Sequence, residues 1–523
     1  MSTIAPGFAF RNGHHLWARD LFDGEADAAL SLLWRHHHEE TGMPAKGLTM
    51  NVRFALSQPA PRRNAFIGLA LLFFVGALAT CYLAQRLTPW DFIAFWGAGK
   101  ALNAGLDPYA PATWRQLAIP AGFYSPIFLG LLFQPIAALL PALYTAKLVW
   151  TVGNIVGGVA LSLMLMRLSG VRITWTSALI GIALLFAFEP FTGGVIYLGQ
   201  TDVLVVLATA VSWLLLEQRR RFLAGFVFCV GATNPHLILG IGVYYLYRAI
   251  FRREYALLLG LLTGGASLLA ICLLYFNYTL EWVTRVLPAK QIEAAFSPTQ
   301  LTVLHLVVDV GAYAGIPTSL LVRLGEGVTV LLALVVLLLA VRIWRRSNGR
   351  ATPIEMAAAV TLSVVSTTFA YHQDLLVCAL LAPSIVYVWR HTYSIDQSAF
   401  LAVCASTFLF SSLTGLINDG VYEHRLPFYA VAPALVGLMM LTQLRASRWI
   451  YRRLAVWGTI LLAFSLAGDL LPVVVGLWVT QLEIVVFFLG LLAFLRGAYL
   501  FAVTRSVWGG EMSTETAPRP VVA

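Results

Sequence analysis

The sequence predicts an all-α polytopic membrane protein with about 12–14 transmembrane segments. Three observations predict it. The chain is 59% hydrophobic and only 11% charged, where soluble domains run nearer about a quarter charged. Its apolar runs approach the length, about 20 residues, that crosses a bilayer as a helix. Its Lys and Arg gather in short clusters between those runs, as the positive-inside rule produces. The net charge of +10 is therefore no nucleic-acid signature. The five Cys (Cys81, Cys229, Cys272, Cys378, Cys404) all fall in apolar runs without metal-ligand spacing and read as small core residues.

In chain order, residues 1–61 form a polar segment expected to be disordered and cytoplasmic. His36-His37-His38 has no second ligand group near it in sequence and reads as incidental rather than metal-binding. A long polar leader before the first apolar run argues against a cleaved signal, and Met50 is an alternative start. The transmembrane domain is expected over 62–505, with a disordered cytoplasmic tail over 506–523. Apolar spans fall near 65–85, 144–166, 173–189, 201–216, 255–276, 318–341, 354–371, 374–389, 398–416, 427–443, 454–472 and 474–495. Charge settles two ambiguous stretches. Arg62-Arg63 and Arg219-Arg220-Arg221 both belong inside, so one of the four runs between them does not cross. The short run 126–141, which contains Pro135, is assigned as a juxtamembrane or re-entrant helix. Between Arg221 and the cluster Arg248, Arg252 and Arg253, the break at Asn234-Pro235 predicts a hairpin of two half-helices with its tip at a cavity. Both termini are then cytoplasmic. The unusual polar residues gather on the opposite face: 86–125, Glu189 to Asp202, the tip 233–236, the loop 277–317, and Tyr371-His372-Gln373-Asp374. No internal repeat is evident.

The most informative stretch on that face runs from Trp90 to Gln134. Asp91 stands where the chain leaves the first span, and a carboxylate there is costly enough to be a functional candidate. A short aromatic helix follows and ends at Gly105, and Leu106-Asp107-Pro108-Tyr109 makes a turn. A second aromatic turn, Phe123-Tyr124-Ser125-Pro126, returns the chain to the bilayer.

Asp91-Phe92, the run Ala98, Ala101-Leu102, Gly105, Pro108-Tyr109, then Tyr124 with Pro126, and later Gly199-Gln200, resemble in order and spacing the C-type (GT-C) glycosyltransferases. More narrowly they resemble glycosyltransferase family 87, a polyprenol-phosphate-mannose-dependent group of α-mannosyltransferase-like proteins once filed as a domain of unknown function. The likeness runs from about Arg62 to at least Asp374. It implies a GT-C-like bundle with a helical first external loop and Asp91 as the catalytic residue. It also implies a polyprenyl-phosphate sugar donor, most simply of mannose, and a lipid-linked or cell-envelope glycan acceptor. The setting would be the periplasmic face of a bacterial inner membrane. Two departures stand out. Asn234-Pro235-His236 occupies the place of the family's Lys-Pro, so His236 or an arginine would have to take the lysine's part. Ser297-Pro298-Thr299-Gln300, with His305, is a degenerate form of an Asn-Gln-Ser stretch and lacks the arginine that follows it.

The chemistry suits this residue set. A polyprenyl phosphate is already a good leaving group, so one base that deprotonates the acceptor hydroxyl is enough, and direct displacement inverts the anomeric centre. Asp91 is that base, or else a first-turn carboxylate complementing a helix dipole. Lys100 lies on the far side of the same helix and reaches for headgroups, and Asp107 forms an Asx-type turn. Tyr109 and Tyr124 are an aromatic belt or sugar and lipid contacts. Gln200 could bond sugar hydroxyls. Asp202 is a second carboxylate, or simply the first turn of a helix capped by Thr201. Asn234, His236, Gln300 and His372 complete the expected substrate-binding set, His236 and His372 with structural roles as alternatives. No P-loop, zinc-ligand spacing or Ser-His-Asp arrangement occurs, which argues against nucleotide-sugar use and ATP-driven transport. No cofactor is expected. Asp91, Asp202 and Asp374 leave a divalent metal open. A transporter or flippase, a non-catalytic binder of lipid-linked saccharides, and a glycan polymerase are the rival readings. Asp91 in an aromatic loop and the lack of inverted-repeat symmetry weigh against the transporter.

Overall fold

The computed structural model describes residues 90–188, 190–290, 302–347 and 352–391, together with Gln300, Gly349, Phe488, Leu492 and Leu495. The N-terminal segment with its His run and Met50, the spans expected at 65–85 and beyond 398, Ser297–Thr299 and the C-terminal tail lie outside the described residues. So does the side chain of His372. Within the described residues the protein is helical and has no strand; one isolated antiparallel bridge joins Gln300 to Tyr371.

The helices follow in order. α1 spans Trp90–Asn103, α2 Pro111–Gln116, α3 Ile127–Leu139, α4 Leu143–Leu168 and α5 Trp175–Ala187. A π-helix occupies Pro190–Leu198. Then come α6 Asp202–Glu217, α7 Arg221–Gly231, α8 Pro235–Phe251 and α9 Tyr255–Leu274. α10 spans Phe276–Glu281, α11 Val303–Tyr313, α12 Thr318–Ser347 and α13 Thr352–Ser366. A 3₁₀ helix over His372–Leu381 leads into α14, Ala382–His391. Among the described residues α4, α9 and α12 are long and apolar enough to cross a membrane. Leu259, Leu262, Leu269 and Leu273 on α9, and Leu331, Leu334 and Leu338 on α12, are exposed, which suits a surface meeting lipid rather than water.

Several expected boundaries move. The region 277–317 is not a plain loop: it carries helical turns from Phe276 to Val286 and the helix α11, whose Leu304 and Val308 pack on Leu321 of α12. The run 354–371 stops being helical at Ser366, and 374–389 is not one helix. Pro383 has no N–H to offer the turn before it, so the chain changes from 3₁₀ to α winding at that point. The break expected near Asn234 is present, with α8 starting on Pro235 at its first turn, where a missing N–H costs nothing. The two halves rest chiefly on different neighbours, α7 on α9 and α6, α8 on α13.

Two of the packing clusters among the described residues position the site. The larger is built around Trp213 of α6, Tyr244 and Tyr245 of α8, Trp344 of α12 and the buried face of α13. The smaller gathers Phe92, Phe95 and Trp96 of α1 with Tyr109, Phe123 and Phe133. α8 and α13 touch at Gly240, where a β-carbon would stand 2.3 Å from the Ala359 carbonyl oxygen and 2.4 Å from Ser363 N. Ser363 Oγ accepts from Gly240 N at 2.9 Å in the same crossing. This contact fixes the start of α8, and with it His236, against the chain that leaves α13.

Candidate functional site

Asp91 enters the site on the first turn of α1, held by the Phe92 packing behind it. Gln200 Nε2 donates to Asp91 Oδ2 at 2.8 Å across 109 positions of sequence. The Gly-Gln pair explains that reach. Gly199 has φ of +77°, and a β-carbon there would stand 2.6 Å from Phe92 Cβ, so only glycine lets the turn press against α1. Trp150 Nε1 of α4 donates to the Gly199 carbonyl at 2.9 Å, and Asn154 Nδ2 donates to Val195 O at 3.1 Å and Gln200 O at 3.4 Å. Ala for Gly199 is expected to strain the backbone, push α1 away and cost about a hundredfold in kcat/KM, the scale of a misplacement of about 1 Å. Assays of the purified variant with its helical content unchanged would check this.

Past that turn, Asp202 is fully buried and opens α6. Thr201 makes no capping bond, contrary to the capping alternative. Asp202 Oδ1 instead accepts from Asn234 Nδ2 at 3.0 Å, and Asn234 accordingly does not cap its own helix. Asp374 and, less strongly, Asp91 act electrostatically on Asp202, so the three carboxylates share one neighbourhood. Asp374 Oδ2 accepts from Tyr371 N at 2.7 Å, and its Oδ1 lies 3.6 Å from His236 Nε2. His236 meets Phe369 edge-on at 5.6 Å. Gln300 Oε1 accepts from Ala370 N at 2.9 Å. Asp202 Oδ2, His236 Nε2 and Gln300 Nε2 are buried atoms without a hydrogen-bond partner among the described residues.

The structure thus links Asp91 with Gln200, Asp202 with Asn234, and His236 with Asp374, which shares a neighbourhood with Asp202, while Gln300 sits against the Ala370–Tyr371 turn next to Asp374. The His372 backbone opens the 3₁₀ helix beside Asp374. Tyr109 does not join them. It is buried, stacked on Phe123 at 5.4 Å, and donates from its hydroxyl to Ser125 O at 2.9 Å. Burial, with Glu281 and Asp107 nearby, pushes that hydroxyl's pKa up, and the residue closes the loop instead of lining the polar cluster. Asp107 makes the Asx turn, accepting from Tyr109 N at 2.8 Å. Tyr124 is half-exposed under Lys290 Nζ, 4.7 Å from its ring centre. Lys100 lies over Trp96 at 5.0 Å. His305 is buried 3.1 Å from Asp309, one turn along α11.

Trp150, Asn154 and Lys147 had no sequence signal beyond standing polar or aromatic in an apolar run. The buried Lys147 and Asn154 fall on one face of α4 with Trp150, at helical spacing. No group of three or more His, Cys, Asp or Glu side chains among the described residues is placed to hold a metal ion. A family model described as glycosyltransferase family 87 matches residues 123–369. That span includes Tyr124, Gln200, Asp202, Asn234, His236 and Gln300, and leaves Asp91, Tyr109 and His372 outside it. No curated protein matches the chain.

Proposed function

We propose that this chain, which a model of glycosyltransferase family 87 matches over residues 123–369, is a glycosyltransferase of that family and transfers a sugar, mannose foremost, from a polyprenyl-phosphate donor to a lipid-linked or cell-envelope glycan. The reaction takes place at the periplasmic face of a bacterial inner membrane, within a GT-C-like bundle whose α7–α8 break forms a re-entrant tip. The observation that carries this reading is the hydrogen bond from Gln200 to Asp91. It fixes the carboxylate of a helix start beside a buried polar cluster, where an acceptor hydroxyl and a donor sugar can meet.

In the step itself, Asp91 takes the acceptor hydroxyl's proton as that oxygen bonds to the anomeric carbon. The bond from that carbon to the phosphate oxygen breaks, its electron pair leaves on the phosphate, and the anomeric centre inverts. Lys147, buried on the α4 face that also carries Trp150 and Asn154, is our candidate for the cation that favours the departing phosphate. No metal is assigned a step.

Membranes containing the chain are expected to move label from polyprenyl-phosphate mannose into a glycolipid or glycan, with inversion, and not from a nucleotide-linked mannose. Transfer from the nucleotide sugar, or from no lipid-linked donor at all, would overturn the proposal. The second outcome would leave a flippase or a non-catalytic saccharide binder.

A further inference from the structure

The polar cluster has an internal asymmetry. Its Asp91 end has the paired, braced geometry of a base. Its far end holds buried polar atoms that no group among the described residues satisfies. Asp202 Oδ2 is in a side chain 0% exposed, Gln300 Nε2 in one 1% exposed. His236 Nε2 stops 3.6 Å from Asp374 Oδ1. Burying such atoms unpaired is costly, and natural structures tolerate it mainly where a ligand or water completes them. Beside this gap lies a crevice walled by His236, Leu237, Thr367, Asp374, Leu375 and Val377, with room for about one water and so for a single hydroxyl.

The chemistry of the gap selects its occupant. Asp202 and Asp374 are carboxylates, and the one cationic candidate among these residues is an imidazole. A phosphate would meet repulsion here. A hydroxyl would not, since one oxygen both donates to a carboxylate and accepts from a ring or amide N–H. Atoms 3.6 Å apart can each lie within hydrogen-bond range of a single oxygen placed to the side of the line joining them. Vicinal hydroxyls of a sugar ring present several such oxygens at once.

We infer that His236 and Asp374 form a socket for one ring hydroxyl of the transferred sugar, that Asp202 Oδ2 and Gln300 Nε2 receive further hydroxyls of the same ring, and that this end of the site reads the sugar while turning the phosphate away. The inference rests on the glycosyltransferase reading and deepens it. Sugar selection belongs to residues on α6, α8 and the 3₁₀ helix, while Asp91 on α1 serves the acceptor.

Monodeoxy polyprenyl-phosphate mannoses, each lacking one ring hydroxyl, provide the test. The wild type is expected to use at least one of them about ten- to a hundredfold less well in kcat/KM, the size of one hydrogen bond to a charged group. In His236→Gln the penalty should collapse for the analogue lacking the hydroxyl held by the socket, and in Asp202→Asn for a second analogue, while the natural donor is also used less well. Gln300→Leu leaves no charge unpaired but does free Ala370 N, so its Tm is measured alongside, and it should erase the penalty for a further analogue. Variants that lose activity yet keep the full deoxy penalties would overturn the socket and leave transfer intact, the gap then holding water. A wild type that transfers from no lipid-linked donor would remove both the function and the socket.

Discussion

Asp91→Asn is expected to lower transfer by two or more orders of magnitude, the usual size of a general-base contribution, while donor KM changes little. The amide is close to isosteric and can turn its oxygen to Gln200 Nε2, so the hydrogen bond now 2.8 Å long survives and α1 keeps its place. What is lost is the capacity to accept a proton from the attacking hydroxyl. A single-turnover assay with labelled donor separates this from a binding defect. Equal activity in wild type and variant would remove Asp91 from the mechanism, and the first-turn carboxylate would then simply complement its helix dipole. A Gln200→Leu variant should sit between the two, since it frees the carboxylate without removing it.

The largest effect on stability is expected at the other end of the same helices. Glu355 is fully buried on the first turn of α13. Its Oε1 accepts from Arg252 Nη2 at 2.6 Å and its Oε2 from Arg252 Nη1 at 2.9 Å. Tyr244 Oη donates to it at 2.6 Å, Gly349 N at 2.9 Å, and the Ser347 hydroxyl also donates. Arg252 further donates to Trp344 O at 2.7 Å. One carboxylate therefore ties α8, α12 and α13 together. Glu355→Ala leaves the guanidinium buried and unpaired, which costs about 3–5 kcal/mol when half of such a pair is removed. Thermal unfolding in detergent should show a large fall in Tm. Removing Arg252 as well should cost much less than the two single losses added together, and simple additivity would argue against the clamp.

The parts of the site legible in the sequence were those that interrupt an apolar pattern. Gly199-Gln200, Asn234-Pro235 and Tyr371–Asp374 each stand at a helix break, so polar side chains were visible against their surroundings. Their partners were not, because helical periodicity carries no information on which break faces which. Gln200 meets Asp91 and Asn234 meets Asp202 only through tertiary packing. Trp150 and Asn154 were hidden because they fall inside a long apolar run whose composition alone explains the span. From sequence Arg248 and Arg252 look like loop charges that set topology, whereas both are mostly buried and bonded, Arg248 to Glu254 at 2.7 Å and Arg252 to Glu355. Tyr109 carried a motif signal that packing turned to a structural use.

The two packing clusters also divide what the protein can change over evolutionary time. Asp91 travels with α1 and its aromatic neighbours, whereas Asp202, His236 and Asp374 travel with the larger cluster. The two meet at the narrow junction of Gly199, Trp150 and Phe92. Under the proposed roles, substitutions among α1 to α3 can therefore reshape the approach to Asp91 while Asp202, His236 and Asp374 stay fixed. A lineage could acquire new acceptors through one cluster and keep its donor through the other, provided the junction glycine is retained.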